Sequence, residues 1–230
     1  MTNLIAAAVA FVLLHLLVSG TRVRDAATGA VGQGAYMGLF SLASVAVLVW
    51  LGFGYAAARG GSADTVWWGA TRATKEVQLV IQLIAFLFIV PGLSTPNPTS
   101  VGQQATLEKP DVARGVLRIT RHPFLWGVAI WAAGHLLVGG DAASLVLFGS
   151  LLALALFGTA SIDAKRKRAL GETWTAFAAR TSNIPFAAIA AGRQSLNIAE
   201  IGWWRLALAV AIYAAMILIH PYAFGVSPLP

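Results

Sequence analysis

The chain has 230 residues, of which 58% are hydrophobic and 11% charged, with a mean hydropathy of +0.74 and a net charge of +7. A soluble domain carries about 25% charged residues, so a cytosolic enzyme, an extracellular disulfide scaffold and a disordered tail are all poor fits. The composition predicts an all-α, polytopic membrane helix bundle. Cysteine is absent, which removes disulfides, thiolate chemistry and iron–sulfur ligation. The positive charge falls in short blocks beside apolar runs, where membrane lipid is a sufficient partner, and no nucleic acid is expected.

Six spans are expected, with five to seven admissible, each needing about 17–25 apolar residues. The first runs from Leu4 to Ser19. No basic segment precedes it and no polar chain follows, so a cleaved signal peptide is not expected. His15 shares a helix face with Ser19 and Arg22 by the i+4 and i+7 spacings. That face suits a buried ring-shaped cofactor with acidic side groups, and equally an interhelical hydrogen bond above a topology-setting arginine. Span two covers 35–58, and Trp67-Trp68 after it suits an interfacial belt, as does Trp203-Trp204. Span three, 77–93, carries the polar stripe Lys75, Gln78 and Gln82, suited to sealing against a neighbour helix or reaching a substrate headgroup.

The segment 94–114 reads as a loop. Span four, 123–139, opens with Arg121-His122-Pro123, the proline fitting the first helical turn. His122 is a candidate catalytic residue or a cap near the headgroups. His135 follows thirteen residues later, about 19.5 Å along the axis and about 140° around it, so one ligand plane cannot take both from a straight helix. Gly134 beside it would admit a flat macrocycle. Gly140-Asp141-Ala142 makes spans four and five (143–162) antiparallel neighbours. Asp163 is expected to pair with Lys167 one turn on. Lys165-Arg166-Lys167-Arg168 is the strongest topological anchor. Ile184 to Ala191 is too short to cross, and lies against the surface or packs as a re-entrant piece. Span six is 203–222, with His220 as an interfacial cap.

Lys and Arg number 12 in the connections after spans one, three and five, and 3 in the connection after span two. The positive-inside rule then puts both termini in the periplasm of a bacterial inner membrane. A b-type haem takes imidazoles from two helices, and the candidate pairs are His15 with His135 or His15 with His122. His15 lies near the cytoplasmic end of its span and His135 near the outer end, which weighs against the first pair, since one ring needs similar depths. No HExxH, GxxxxGK[ST] or GxGxxG pattern is present. Without recurring buried carboxylates a proton-driven transporter is not favoured.

The chain resembles the NnrU family, bacterial integral membrane proteins linked to denitrification, and is similar to the plastid 15-cis-zeta-carotene isomerases that share its domain. The residues are His15-Leu16-Leu17-Val18-Ser19-Gly20, Arg118-Ile119-Thr120-Arg121-His122-Pro123-Phe124-Leu125-Trp126-Gly127 and Trp131-Ala132-Ala133-Gly134-His135-Leu136-Leu137. Gly139-Gly140-Asp141, Gly158 with Asp163, Gly171 with Trp174, and Thr181-Ser182-Asn183-Ile184-Pro185-Phe186 continue the pattern. It covers roughly 1–190 of a single domain, 1–230, with 203–222 as an additional C-terminal helix. The resemblance implies haem b between helices, with His15 and His135 as axial ligands and His122 as a third, non-axial histidine. Arg22 and Arg121 are expected near the haem's acidic groups. The implied role is redox or nitrogen-oxide-related, with cis–trans isomerisation of a polyene as the alternative, and the implied partners are a redox partner or a lipophilic substrate. Arg121-His122-Pro123, Gly127, Leu170-Gly171-Glu172-Thr173-Trp174 and Ile184-Pro185 also resemble membrane S-adenosylmethionine-dependent methyltransferases, although only Asp163 stands where those proteins carry an acidic pair. A non-catalytic assembly factor would need neither cofactor.

Overall fold

Backbone groups in hydrocarbon have no water to pair with, and the apolar runs are accordingly helical. The computed structural model describes residues 1–109 and 111–230; Pro110, within the expected loop 94–114, lies outside them. Helix α1 (Thr2–Leu13) continues through a π turn, Leu14–Val18, and bends by 79° into α2 (Arg22–Val31). Then follow α3 (Gln33–Ala58), strand β1 (Val66–Trp68), α4 (Arg72–Ser94), the 3-10 turns Gln104–Glu108 and Gly115–Arg118, and α5 (Pro123–Val138). Strand β2 (Gly140–Asp141), α6 (Ala142–Arg180), α7 (Ala187–Ala190), α8 (Ile198–Ile201) and α9 (Trp203–Phe224) complete the chain.

Four helices, α3, α4, α6 and α9, are long and apolar enough to cross a membrane, and a fifth span arises if α1 and α2 count as one broken crossing. This corrects the expectation of six. Helix α5 has 16 residues, a rise of about 24 Å against about 30 Å of hydrocarbon. The first run is interrupted because Thr21 caps a new helix, its hydroxyl accepting from the Val23 N–H at 3.2 Å. Polar Arg22, Arg24 and Asp25 then replace the apolar sequence.

Helix α4 packs between α9 and α5, α6 between α5 and α1, and α3 against α1. Leu4, Ala7 and Phe11 of α1 meet Leu51 and Ala58 of α3 and Ala143 of α6 in the main apolar cluster. Lipid tails are as apolar as leucine, so helix contact here rests on close packing rather than on removal of water. Gly127 provides that approach, since a methyl group there would stand 2.8 Å from the Ile89 backbone nitrogen. Leu39, Leu42 and Phe53 of α3 and Leu218 of α9 face outward.

Two details were not anticipated. Val66–Trp68 pairs antiparallel with Gly140–Asp141, and the Trp68 indole N–H donates to the Leu136 carbonyl at 3.0 Å, so this tryptophan holds the α5–α6 corner. Helix α6 carries a break at Gly171, whose φ of 54° requires a residue without a β-carbon. The break redirects the chain toward Thr181–Phe186, which returns along residues 118–122. The stretch 184–191 does lie against the body, with Ala188 fully buried.

Candidate functional site

The segment before α5 is fixed by its own backbone. Pro123 occupies the first turn of α5 with His122 ahead of it. The Thr120 hydroxyl accepts from the His122 N–H at 3.2 Å and donates to the Asn183 carbonyl. The Arg121 N–H donates to the Ser182 carbonyl at 2.9 Å, and the Phe186 N–H to the Ile119 carbonyl at 2.8 Å. Two chain segments about sixty residues apart are thereby zipped side by side.

That zipper brings together Arg121, His122, Asp163 and Asn183. The Arg121 guanidinium grips Asp163 from Nε, 3.0 Å from both carboxylate oxygens, and from a second nitrogen. His122 Nε2 lies 2.7 Å from Asp163 Oδ1, and the Asn183 amide donates to Oδ2 at 3.4 Å. The Trp126 indole reaches the Asn183 carboxamide oxygen, also at 3.4 Å. Only 2% of His122 is exposed, and burial pushes its imidazolium below the usual histidine range although Asp163 opposes this. The carboxylate accepts, so Nε2 carries the proton. Nδ1 is then a buried lone pair without a partner. The site can hold a proton at Nε2 and accept one at Nδ1. Beside it lies an open recess of about 330 Å³ bordered by Arg121, Ser182, Asn183 and Arg193.

Asp163 was expected to pair with Lys167. It pairs instead with Arg121 and His122, two residues 42 and 41 positions away. A local i+4 rule cannot reach that distance, although the histidine–proline motif and Asp163 were both in view. Asn183 was missed as a site residue altogether. A second tie was also missed: Arg118 holds Glu200 through 2.8 and 2.9 Å bonds. Those bonds and the Gly115 N–H hold the Glu200 carboxyl at about 2.

His15 lies in the π turn after α1 and His135 in the last turn of α5. His15 Nδ1 lies 2.9 Å from the Phe11 carbonyl, and its ring contacts Phe11 and Phe40. His135 Nδ1 lies 2.8 Å from the Trp131 carbonyl, with Phe148 stacked on its ring at 4.5 Å. They share no aromatic neighbour. Helix α6 serves as a ruler for depth: His135 opposes Phe148, whereas Gly20, five residues beyond His15, meets Ser161. The offset is thus about eight residues, or about 12 Å. Taken singly, each imidazole suits a haem iron, because its tied Nδ1 leaves Nε2 free. Gly134, expected beside a macrocycle, faces Gln78 and Gln82 of α4 instead, and any side chain there would collide with them. The Gln82 amide donates to the Trp131 carbonyl at 3.1 Å, so the glutamine stripe seals α4 against α5. Arg121 is committed to Asp163, and Arg22 lines a separate basic cleft. His220 Nδ1 meets the Val226 carbonyl just past the end of α9. Among the described residues, no group of three or more His, Asp or Glu stands together as a metal site.

A helical membrane protein with a buried arginine–histidine–aspartate tie at one end of its bundle and two further imidazoles between its helices is the class that fold and site define. The chain belongs to the NnrU family, whose description, "NnrU protein", matches residues 3–228. It is 38% identical over 125 residues to the chloroplastic 15-cis-zeta-carotene isomerase of Arabidopsis thaliana, covering 53% of this chain and 32% of the relative. It is 37% identical over 116 residues to the same-named protein of Zea mays, covering 49% of this chain and 30% of the relative. The match thus spans about a third of the length of these curated relatives. No solved structure matches the chain.

Proposed function

We propose that the protein carries haem b in the membrane, with His135 holding the iron, in a redox or nitrogen-oxide-related role linked to denitrification. One observation carries the reading: an imidazole between helices whose Nδ1 is tied to a carbonyl and whose face is stacked on Phe148, leaving Nε2 free. The Trp131 carbonyl fixes the tautomer by accepting from Nδ1–H, and Phe148 with Trp131 limits ring rotation. Bound there, haem would supply electron transfer and an iron position open to a small nitrogen oxide. The offset of His15 favours one protein ligand over two, while the family resemblance favours His15 as the second.

The experiment is an absorption spectrum of gently purified, haem-replete protein. The reading expects a b-type spectrum, lost in His135→Ala and retained in His15→Ala, with a shift on adding nitric oxide. Colourless wild type, or haem retained in His135→Ala, overturns it.

A second reading, cis–trans isomerisation of a lipophilic polyene, is favoured by the similarity to proteins named 15-cis-zeta-carotene isomerase. Turnover of a 15-cis polyene by the reduced protein would put this reading first. The methyltransferase reading loses ground, because the carboxylate it needs for its cofactor is already engaged by Arg121, His122 and Asn183.

A further inference from the structure

None of the chemistry above uses the cleft where α1 bends into α2. It encloses about 320 Å³ between Thr21, Arg22, Arg24 and Asp25 on one wall and Lys165, Arg168 and Ala169 of α6 on the other. Four cations thus border a space with one carboxylate, and that carboxylate, Asp25, is 66% exposed and stands 3.7 Å from Arg24. The other contacts of these cations are neutral and long. Lys165 Nζ reaches the Ser19 carbonyl and Arg168 the Gly20 carbonyl, each at 3.3 Å, and Arg24 reaches the Gln33 carboxamide at 3.2 Å. The rest of the basic run behaves differently. Arg166 is buried and donates to the Thr99 and Ser100 carbonyls, and Lys167 is exposed away from the cleft.

Like charges brought to one cleft repel, and a multivalent anion relieves all the repulsions together. A phosphate group presents several acceptor oxygens at once, which suits guanidinium and ammonium groups arriving from opposite walls. The apolar stretch of α6 ends at Ile162 and Lys165 follows within one turn, the level at which lipid phosphates lie against a protein.

We propose that this cleft is a binding site for a phosphate-bearing anion, supplied by an anionic lipid headgroup or by free phosphate. The test uses the full chain in neutral detergent with two probes, phosphatidylglycerol and inorganic phosphate, and phosphatidylcholine as the uncharged comparison. Binding and the thermal midpoint are read for wild type, for Arg22→Gln/Arg168→Gln and for Lys167→Gln/Arg180→Gln, which removes the same charge outside the cleft. The proposal expects binding to fall tenfold or more, with loss of the midpoint shift, in the first pair only. It also expects recovery in Arg22→Lys/Arg168→Lys. A response to phosphatidylglycerol alone assigns the anion to lipid, and an equal response to phosphate assigns it to the free ion. No response to either probe, or equal losses in both Gln pairs, overturns the proposal. Cooperative melting of every variant without anion separates lost binding from lost folding. Haem content, read in parallel, should not change; loss of haem from the first pair with anion binding intact would give the cleft to haem carboxylates instead and overturn the proposal.

Discussion

Two clusters of cations stand beside α6, and they treat charge in opposite ways. At Arg121 and His122 the cationic groups converge on one carboxylate and are nearly dry. At Arg22, Arg24, Lys165 and Arg168 four cations share one peripheral carboxylate and remain half-wet. Removing charge from water costs several kcal/mol per ion unless a partner compensates, so the first cluster is closed on itself, whereas the second keeps its surplus in contact with solvent. The first reads as a tie that holds a buried imidazole in place, and the second as a receptor for something not in the chain.

The sharpest way to break that contrast is Asp163→Ala. It strands the Arg121 charge and removes the partner of buried His122, and the expected loss is about 3–5 kcal/mol, read as a collapse of cooperative unfolding in mixed micelles. Gly127→Ala should cost about 1–3 kcal/mol, because the added methyl group meets the Ile89 backbone nitrogen and the Ala85 carbonyl as well as the Ile89 side chain. Thr120→Val removes the hydroxyl that joins His122 N–H to the Asn183 carbonyl, at a cost of about 1 kcal/mol in the same measurement.

The Arg118–Glu200 tie gives a pH signature. With Glu200 held at about 2, against an ordinary value of 4.5, its stabilisation is complete above pH 4.5 and fades as pH falls toward 2, since the unfolded chain takes up the proton first. A melting series through that window should decline less steeply in Glu200→Gln. The smallest effect belongs to the cleft. Arg22→Gln without added anion should change stability by no more than about 0.5 kcal/mol, and a large loss there would mean that the cleft too is a structural tie.

Much of the bundle was legible because an apolar run long enough to cross needs no distant partner to declare itself; α3, α4, α6 and α9 follow directly. The α5–α6 corner was legible from Gly140-Asp141, but the strand that pairs with it, 66–68, was not, because three residues carry no periodicity. The end of the first run near Ser19 was legible from hydropathy, whereas α2 after it was not, because the cap set by Thr21 depends on geometry. His122 was marked as a candidate, yet its partner was assigned by the nearest lysine, since local spacing cannot see a carboxylate brought in by the neighbouring helix. His15 and His135 were both singled out. Phe148, beside His135, and Ser161, beside Gly20, mark two levels of α6.

The central claim is that His135, without His15, offers its free nitrogen to iron. Electron paramagnetic resonance of the ferric, haem-replete protein tests it most directly, because one imidazole leaves iron high-spin and two drive it low-spin. The account predicts a high-spin signal that survives His15→Ala and vanishes with His135→Ala. A low-spin signal abolished equally by either substitution would contradict it.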